Sequence, residues 1–338
     1  MRFFILIFLL QLPAFSQVIF QKPLSDRVAN YKIKASLDCQ KKMITATQKL
    51  IWKNSSQQAV GELQFHLYMN AFRNDSSTFL SQSRKRYPDT PARSRQELGG
   101  VDIQRFSLNN TYDLLHSIEY IQPNDSNQND STVVRVKLPQ AVRPGGEVSI
   151  EIDFTCKLPK IIARTGYSED FFLLGQWFPK IGVFQDGKWQ CHQFFPNSEF
   201  FADFGVYQVE LTLPREYTVG ATGVLLQEES GDSLKTLYFR AEDVHDFAMV
   251  AWPKFQRETR EIEGIRVTLL YAPEHCGQIE RYMTAITHAI RYLNGWLSPY
   301  PYPQLTVVDP PLHATRAGSM EYPSFITSMA IWGIPAEF

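Results

Sequence analysis

Val148-Ser149-Ile150-Glu151-Ile152-Asp153-Phe154 puts an apolar side chain at every second position and a polar one between. Successive side chains of a strand point to opposite faces, so this period of two predicts a strand with one buried face. Tyr207, Val209, Leu211 and Leu213 alternate with Gln208, Glu210 and Thr212 in the same way. Leu63, Phe65 and Leu67 repeat the pattern within Glu62–Tyr68, and Thr132–Leu138 is a β-branched run. Asn54-Ser55-Ser56, Pro144-Gly145-Gly146, Asp186-Gly187 and Ser230-Gly231-Asp232 supply turns between such segments. From Tyr31 to about Phe255 the reading is therefore mainly β, a large antiparallel saddle or sandwich. Two polar stretches interrupt it. Residues 73–97, with the basic cluster Arg84-Lys85-Arg86, are expected to form a long surface loop. Asn124–Ser131 is expected to be a hairpin loop.

The texture changes after Phe255. A strand is predicted at Ile265–Tyr271, then a helix from about Glu274 to Leu297. Ile279, Met283, Ile286, Ile290, Leu293 and Leu297 recur at spacings of four and three, which places them on one helix face. Ser298-Pro299-Tyr300-Pro301-Tyr302-Pro303 ends the helix, because proline cannot continue the hydrogen-bond ladder. The short apolar runs Leu305–Val308 and Phe325-Ile326-Thr327 follow, with Ala317-Gly318-Ser319-Met320-Glu321-Tyr322-Pro323 between them. Residues 17–255 thus read as a β domain and residues 256–338 as the start of an α+β domain. The last apolar run is followed only by Pro335-Ala336-Glu337-Phe338, so the sequence is expected to stop inside that second domain.

A length of 338 residues, 44% of them hydrophobic and 13% aromatic, is ample for a packed core and suggests two domains. Thirty-four basic residues against 35 acidic ones give no reason to expect nucleic acid or an anionic membrane as partner. Residues 1–16 read as a secretory signal: Arg2, the apolar run Phe3–Leu10, and a small-x-small site at Ala14-Phe15-Ser16. No later stretch resembles a transmembrane helix, so an exported protein is expected, periplasmic, on the outer surface or secreted. Export permits disulfides. Cys39, Cys156, Cys191 and Cys276 allow three pairings, and free thiols are equally compatible with the sequence.

The chemistry is less local. None of His66, His116, His192, His245, His275, His288 and His313 belongs to an H-E-x-x-H motif, and no G-x-S-x-G, P-loop or G-x-G-x-x-G occurs. His66 and His245 lie in apolar strands and read as hydrogen-bonded core histidines. His192 follows Cys191, but strand neighbours face opposite ways, which argues against a Cys–His pair. The many Trp and Tyr would suit a carbohydrate-binding sandwich, but ordinary core packing is the preferred reading. In Gly318–Tyr322, glycine can let another backbone approach closely, and Glu321 can pair with an ammonium group. A turn carrying one solvated glutamate explains the same residues.

The order of blocks then carries a resemblance. Leu63-Gln64-Phe65-His66-Leu67-Tyr68-Met69-Asn70-Ala71-Phe72 is followed by Gln176-Trp177-Phe178-Pro179-Lys180-Ile181-Gly182-Val183-Phe184. Asn197–Tyr207, Val244-His245-Asp246-Phe247-Ala248, Pro301-Tyr302-Pro303-Gln304-Leu305-Thr306-Val307-Val308 and Gly318-Ser319-Met320-Glu321-Tyr322 come next. The set resembles the aminopeptidase N family of zinc metallopeptidases (gluzincins), in its bacterial branch, over roughly residues 25–335. The resemblance implies a saddle-like N-terminal domain, then the start of a thermolysin-like catalytic domain. Its exopeptidase motif is G-x-M-E-N, here with Tyr322 in place of Asn. It assigns Gly318, Ser319, Met320, Glu321 and Tyr322 to substrate binding, with Glu321 holding the free α-ammonium of a peptide. A second amine-binding acid would fall near Phe178, where none stands. It implies zinc for the full-length protein, bound by two histidines of H-E-x-x-H and a later glutamate, all expected beyond Phe338. This chain is therefore expected to be a fragment with no catalytic or metal-ligating residue at the family site, inactive alone. A non-catalytic peptide-binding or scaffolding member is the alternative.

Overall fold

The computed structural model describes residues 18–88 and 92–328. The expected signal segment and the apolar run after Ser328 lie outside the described residues.

The chain is mainly β, in several largely antiparallel sheets. The largest has eight strands in the spatial order Val224–Ser230, Leu234–Val244, Gly205–Pro214, Ala29–Asp38, Met43–Lys53, Glu147–Lys157, Gly100–Leu108 and Tyr112–Asp113. Glu147–Lys157 contains the opening heptapeptide, with Val148, Ile150, Ile152 and Phe154 all buried. One pairing departs from the antiparallel expectation: Ala29–Asp38 lies parallel to Gly205–Pro214. The register sets Tyr31 beside Tyr207, whose rings stack 4.7 Å apart, while Phe178 meets Tyr31 edge-on at 5.5 Å. The Tyr31 hydroxyl accepts a hydrogen bond from the Ile181 amide at 3.0 Å. Strand alternation alone has no means of announcing such a pairing, because it joins segments about 170 residues apart.

Two four-stranded sheets cover the inner face of the large one. One runs Lys180–Ile181, Val60–His66, Val133–Val142, Ile118–Tyr120; the other runs Thr218–Ala221, Met249–Trp252, Phe171–Leu174, Gly166–Ser168. Trp52, Phe65, Phe106, Phe154 and Trp177 fill the space between. Burial of such side chains is the dominant favourable contribution to folding.

Residues 73–97 are not loop throughout. A helix spans Thr78–Arg86, with the Ser77 hydroxyl accepting from the Leu80 amide at 3.2 Å as its N-cap. Thr78, Phe79 and Leu80 are buried, and Phe79 stacks on Phe194 at 4.6 Å. Three buried positions in a polar stretch are too few to show helical periodicity. Arg84, Lys85 and Arg86 occupy the last turn, where cations complement the helix dipole. Asn124–Ser131 does link two antiparallel strands.

The last sheet has the order Gln256–Ile262, Ile265–Tyr271, Gln304–Asp309, Phe325–Thr327, Met320–Tyr322. Its first strand is charged at most positions and was not expected. Helix Ile279–Trp296 is preceded by a 3-10 turn, Pro273–Gln278. Met283 and Ile290 of this helix pack on Val267, Leu269, Leu305 and Val307. The opposite face of the sheet presents Leu270, Val308, Met320, Tyr322 and Phe325 to Phe171, Leu173, Val250 and Trp252. The two parts of the chain therefore share a core across Phe255. Among the described residues no helix is long and apolar enough to cross a membrane.

All four cysteines are free thiols, three of them buried. His66 is fully buried and stacked on Tyr68 at 4.3 Å, yet neither ring nitrogen finds a hydrogen-bond partner, contrary to the expectation of a satisfied core histidine. Burial holds its pKa well below the usual value. His245 is half-buried against Phe204. The His192 ring contacts the Gln193 carbonyl at 2.7 Å.

Asp203 supplies a pH test of the fold. Burial pushes its carboxyl up to about 6, against about 3.9 in an unfolded chain. Between these values the folded state binds the proton more readily. The contribution of Asp203 to stability is thus expected to fall as pH rises from about 4 to about 6, and to stay lower above. Asp203→Asn is expected to flatten that fall in urea-unfolding midpoints taken across the window. The same slope in the variant would refute the assignment.

Candidate functional site

The candidate stretch forms the edge of the last sheet. Met320–Tyr322 pairs antiparallel with Phe325–Thr327, opposing Glu321 to Ile326, and no described strand pairs with its outer side. A short helical segment, Leu312–Ala317, leads into it. Gly318 is extended, at φ −74°, ψ 169°. The left-handed residue is Ser319, at φ 64°. The conformational freedom expected of the glycine is thus exercised by its neighbour, and Ser319 is exposed.

A latch explains this geometry. The Thr327 hydroxyl donates to the Ala317 carbonyl at 2.6 Å and accepts from the Met320 amide at 3.1 Å. One buried hydroxyl thereby closes the loop formed by Gly318 and Ser319. Strand alternation then sends neighbouring side chains opposite ways. Met320 and Tyr322 are buried, 6% and 5% exposed, in the cluster that contains Phe171, Leu173, Val250 and Trp252. Glu321 is exposed on the other face.

Glu321 lines a groove of about 740 Å³ between the sheet and the long helix. Leu305, Val307 and Ile326 form its floor, and Ile286, Ile290, Leu293 and Leu297 its helix wall. The six-residue apolar stripe of the helix is only half covered: Met283 and Ile290 are buried, whereas Leu293 and Leu297 are 50% and 80% exposed. Glu321 is the one carboxylate of a mainly apolar, concave wall that also carries Arg281, Gln278 and Asn294, and it is a fixed point for a cationic group, with apolar surface for what the cation carries.

Tyr322 does structural work behind this edge. Its hydroxyl donates to the Arg164 carbonyl at 3.1 Å. It also lies where a Cβ on Gly175 would come within 2.1 Å, so glycine is required there for the strand to dock. The next residue, Gln176, has φ 54° and is buried. Its side chain holds two partners: the amide N–H donates to Asp246, and the carbonyl oxygen accepts from Lys180 Nζ at 2.8 Å. Lys180 and Asp246 pair directly at 2.6 Å, 1% and 3% exposed. Burial lowers the Lys180 pKa, with Asp246 opposing the shift. Two of the blocks that carried the family resemblance, around Gln176 and Asp246, thus meet as one buried polar network. Phe178, the position aligned with a second amine-binding acid, is buried in the core.

Thr327, Gly175 and Arg164 escaped the sequence reading, since their partners lie outside any local window. The opposite facing of Glu321 and Tyr322 was available from strand alternation. Among the described residues, the metal-ligating side chains close enough to share a cation are Glu169, Asp170 and His313. One histidine with two carboxylates is not the two-histidine, one-glutamate set of the zinc peptidases, so the residues present do not fit that centre.

No family model and no curated protein matches the sequence. Solved structures match the fold. A mutant form of an M1 zinc metallopeptidase from Deinococcus radiodurans superposes with a TM-score of 0.58 at 14% identity, over 92% of this chain and 62% of that one. A two-domain M1 zinc metallopeptidase mutant bound to L-arginine gives 0.53 at 15% identity, over 90% and 61%. Its counterpart bound to L-tryptophan gives 0.53 at 14% identity, over 85% and 58%. The chain thus has the fold of M1 zinc metallopeptidases and spans about three fifths of their length.

Proposed function

We propose that this chain is the substrate-anchoring portion of an exported zinc metallopeptidase of aminopeptidase type. Glu321 binds the free α-ammonium of a peptide whose backbone runs along the edge strand Met320–Tyr322. The carrying observation is the placement of Glu321: exposed, on a sheet edge with no described strand beyond it, and facing an apolar groove. Gly318 and Ser319 lie at the upstream end of that edge, where their backbone groups suit addition of an extended peptide. The buried Met320 and Tyr322 set the strand's position rather than touch the ligand. The likeness to M1 structures, two of them bound to single amino acids, supports the reading. Signal-like residues 1–16 support export. The 338 residues contain no H-E-x-x-H, so no hydrolytic step is assigned to them, and anchoring without cleavage is the expected behaviour of this polypeptide alone.

The test is direct. A short peptide with a free N-terminus is expected to bind more tightly than the same peptide acetylated at its amine, measured by calorimetry. A charge-assisted hydrogen bond is worth about 1.5–3 kcal/mol, so a difference of roughly tenfold or more is expected. Equal affinities would exclude Glu321 as an amine anchor.

A further inference from the structure

We propose that Glu169, Asp170 and His313 form a binding site for a divalent transition cation of the zinc type, apart from the peptide groove. The hairpin of Gly166–Ser168 and Phe171–Leu174 turns through Glu169 and Asp170. The helical segment Leu312–Ala317 brings His313 against that turn from the other part of the chain. One ligand atom from each of the three side chains lies within 4.8 Å of the others.

The hydrogen bonds of His313 determine what its ring offers. The Ser168 hydroxyl donates to the His313 carbonyl at 2.7 Å. A hydroxyl has one hydrogen, so the same Oγ accepts from His313 Nδ1 at 3.2 Å. A neutral ring held in this way carries its lone pair on Nε2, and Nε2 faces Glu169 Oε2 at 3.9 Å. In that neutral form two lone-pair atoms face each other, an arrangement that a bound cation relieves. Asp170 is oriented similarly: Trp252 Nε1 donates to its Oδ1 at 2.8 Å, leaving Oδ2 for another partner. Outer groups that hold a histidine tautomer and a carboxylate in place are typical of protein metal sites.

The donor set selects the ion. One imidazole nitrogen with two carboxylate oxygens suits zinc or a neighbouring first-row ion, with water completing the coordination. In a tetrahedral site with bonds near 2.1 Å, ligands stand roughly 3.4 Å apart, so the 3.9 Å gap must close slightly and the others, all within 4.8 Å, by at most about 1.4 Å. Lys254 approaches Asp170 Oδ2 at 3.8 Å, but its side chain is 64% exposed and can swing aside. Lys42 donates to the Glu169 carbonyl at 2.7 Å, leaving that carboxylate available. A bound ion would pin the β-domain hairpin to the segment that enters the edge strand at Gly318.

Calorimetric titration of the full chain with Zn²⁺, paired with Co²⁺ absorption spectra, tests the proposal. His313→Gln and Glu169→Gln are each expected to lose one bound equivalent relative to wild type, with unchanged far-UV dichroism. Ser168→Ala is expected to keep the equivalent and weaken it by about 10–100-fold. A zinc-edge anomalous peak between the three side chains in wild-type crystals is expected, and reads the site without any variant. Failure of wild type to bind, or unchanged stoichiometry and affinity in His313→Gln, would overturn the site and reduce the contact to an ordinary ion pair. Zinc held elsewhere, at the exposed Cys276 for example, would survive His313→Gln and count against the proposal.

Discussion

Asp246→Ala is expected to cost the fold about 3–5 kcal/mol, the usual penalty for leaving one member of a buried ion pair without its partner. Lys180 is 1% exposed, so its ammonium cannot recover the loss from water. Gln176 loses the acceptor of its side-chain N–H in the same substitution. Urea unfolding at neutral pH measures the loss directly. A double variant, Asp246→Leu with Lys180→Met, is expected to lose far less, because exchanging a buried pair for apolar groups of similar volume is often neutral or better. A single-variant loss near the roughly 0.5 kcal/mol of ordinary surface changes would show that Lys180 is not held charged in the core. The network also matters for the site. Gln176 follows Gly175, the residue on which Tyr322 rests, so loosening the network removes the support behind the edge strand.

Glu321→Gln is expected to weaken binding of a free-amine peptide by about 1.5–3 kcal/mol, the worth of the charge-assisted hydrogen bond it removes. The variant keeps the shape of the side chain and removes its charge. Glu321 is exposed and its strand is held by Thr327 and Tyr322, so unfolding midpoints are expected to stay within about 0.5 kcal/mol of wild type. Binding of an acetylated peptide is expected to be unaffected, which separates loss of amine recognition from damage to the groove. Undiminished affinity for free-amine peptides in Glu321→Gln would remove its assigned role.

The candidate site was legible in part. Gly318–Tyr322 stood out because it sits between two apolar runs and carries a single acid. Its position on a sheet edge came from the strand pairing, not from local pattern. The latch at Thr327 was invisible because a buried threonine within Phe325-Ile326-Thr327 looks like any β-branched strand residue. Residues 73–97 misled for the opposite reason: a short helix buried at three positions has too little periodicity to rise above its polar neighbours. The half-covered stripe on Ile279–Trp296 shows a further limit. Apolar spacing marks a face able to be buried, and says nothing of whether anything lies against it.

By itself the sequence determined several of the strands and which face of each is buried, because alternation is a local property that a strand burying one side must satisfy. It also determined the long helix, its proline stop and the acid at Glu321. The tertiary structure alone decided which strands are neighbours, including the parallel pairing of Ala29–Asp38 with Gly205–Pro214. It alone brought Gln176 and Lys180 to Asp246, and Ser168 to His313. Those contacts close loops of up to about 170 residues. Their existence depends on how whole sheets stack, a cooperative outcome of total burial that no window of neighbouring residues contains.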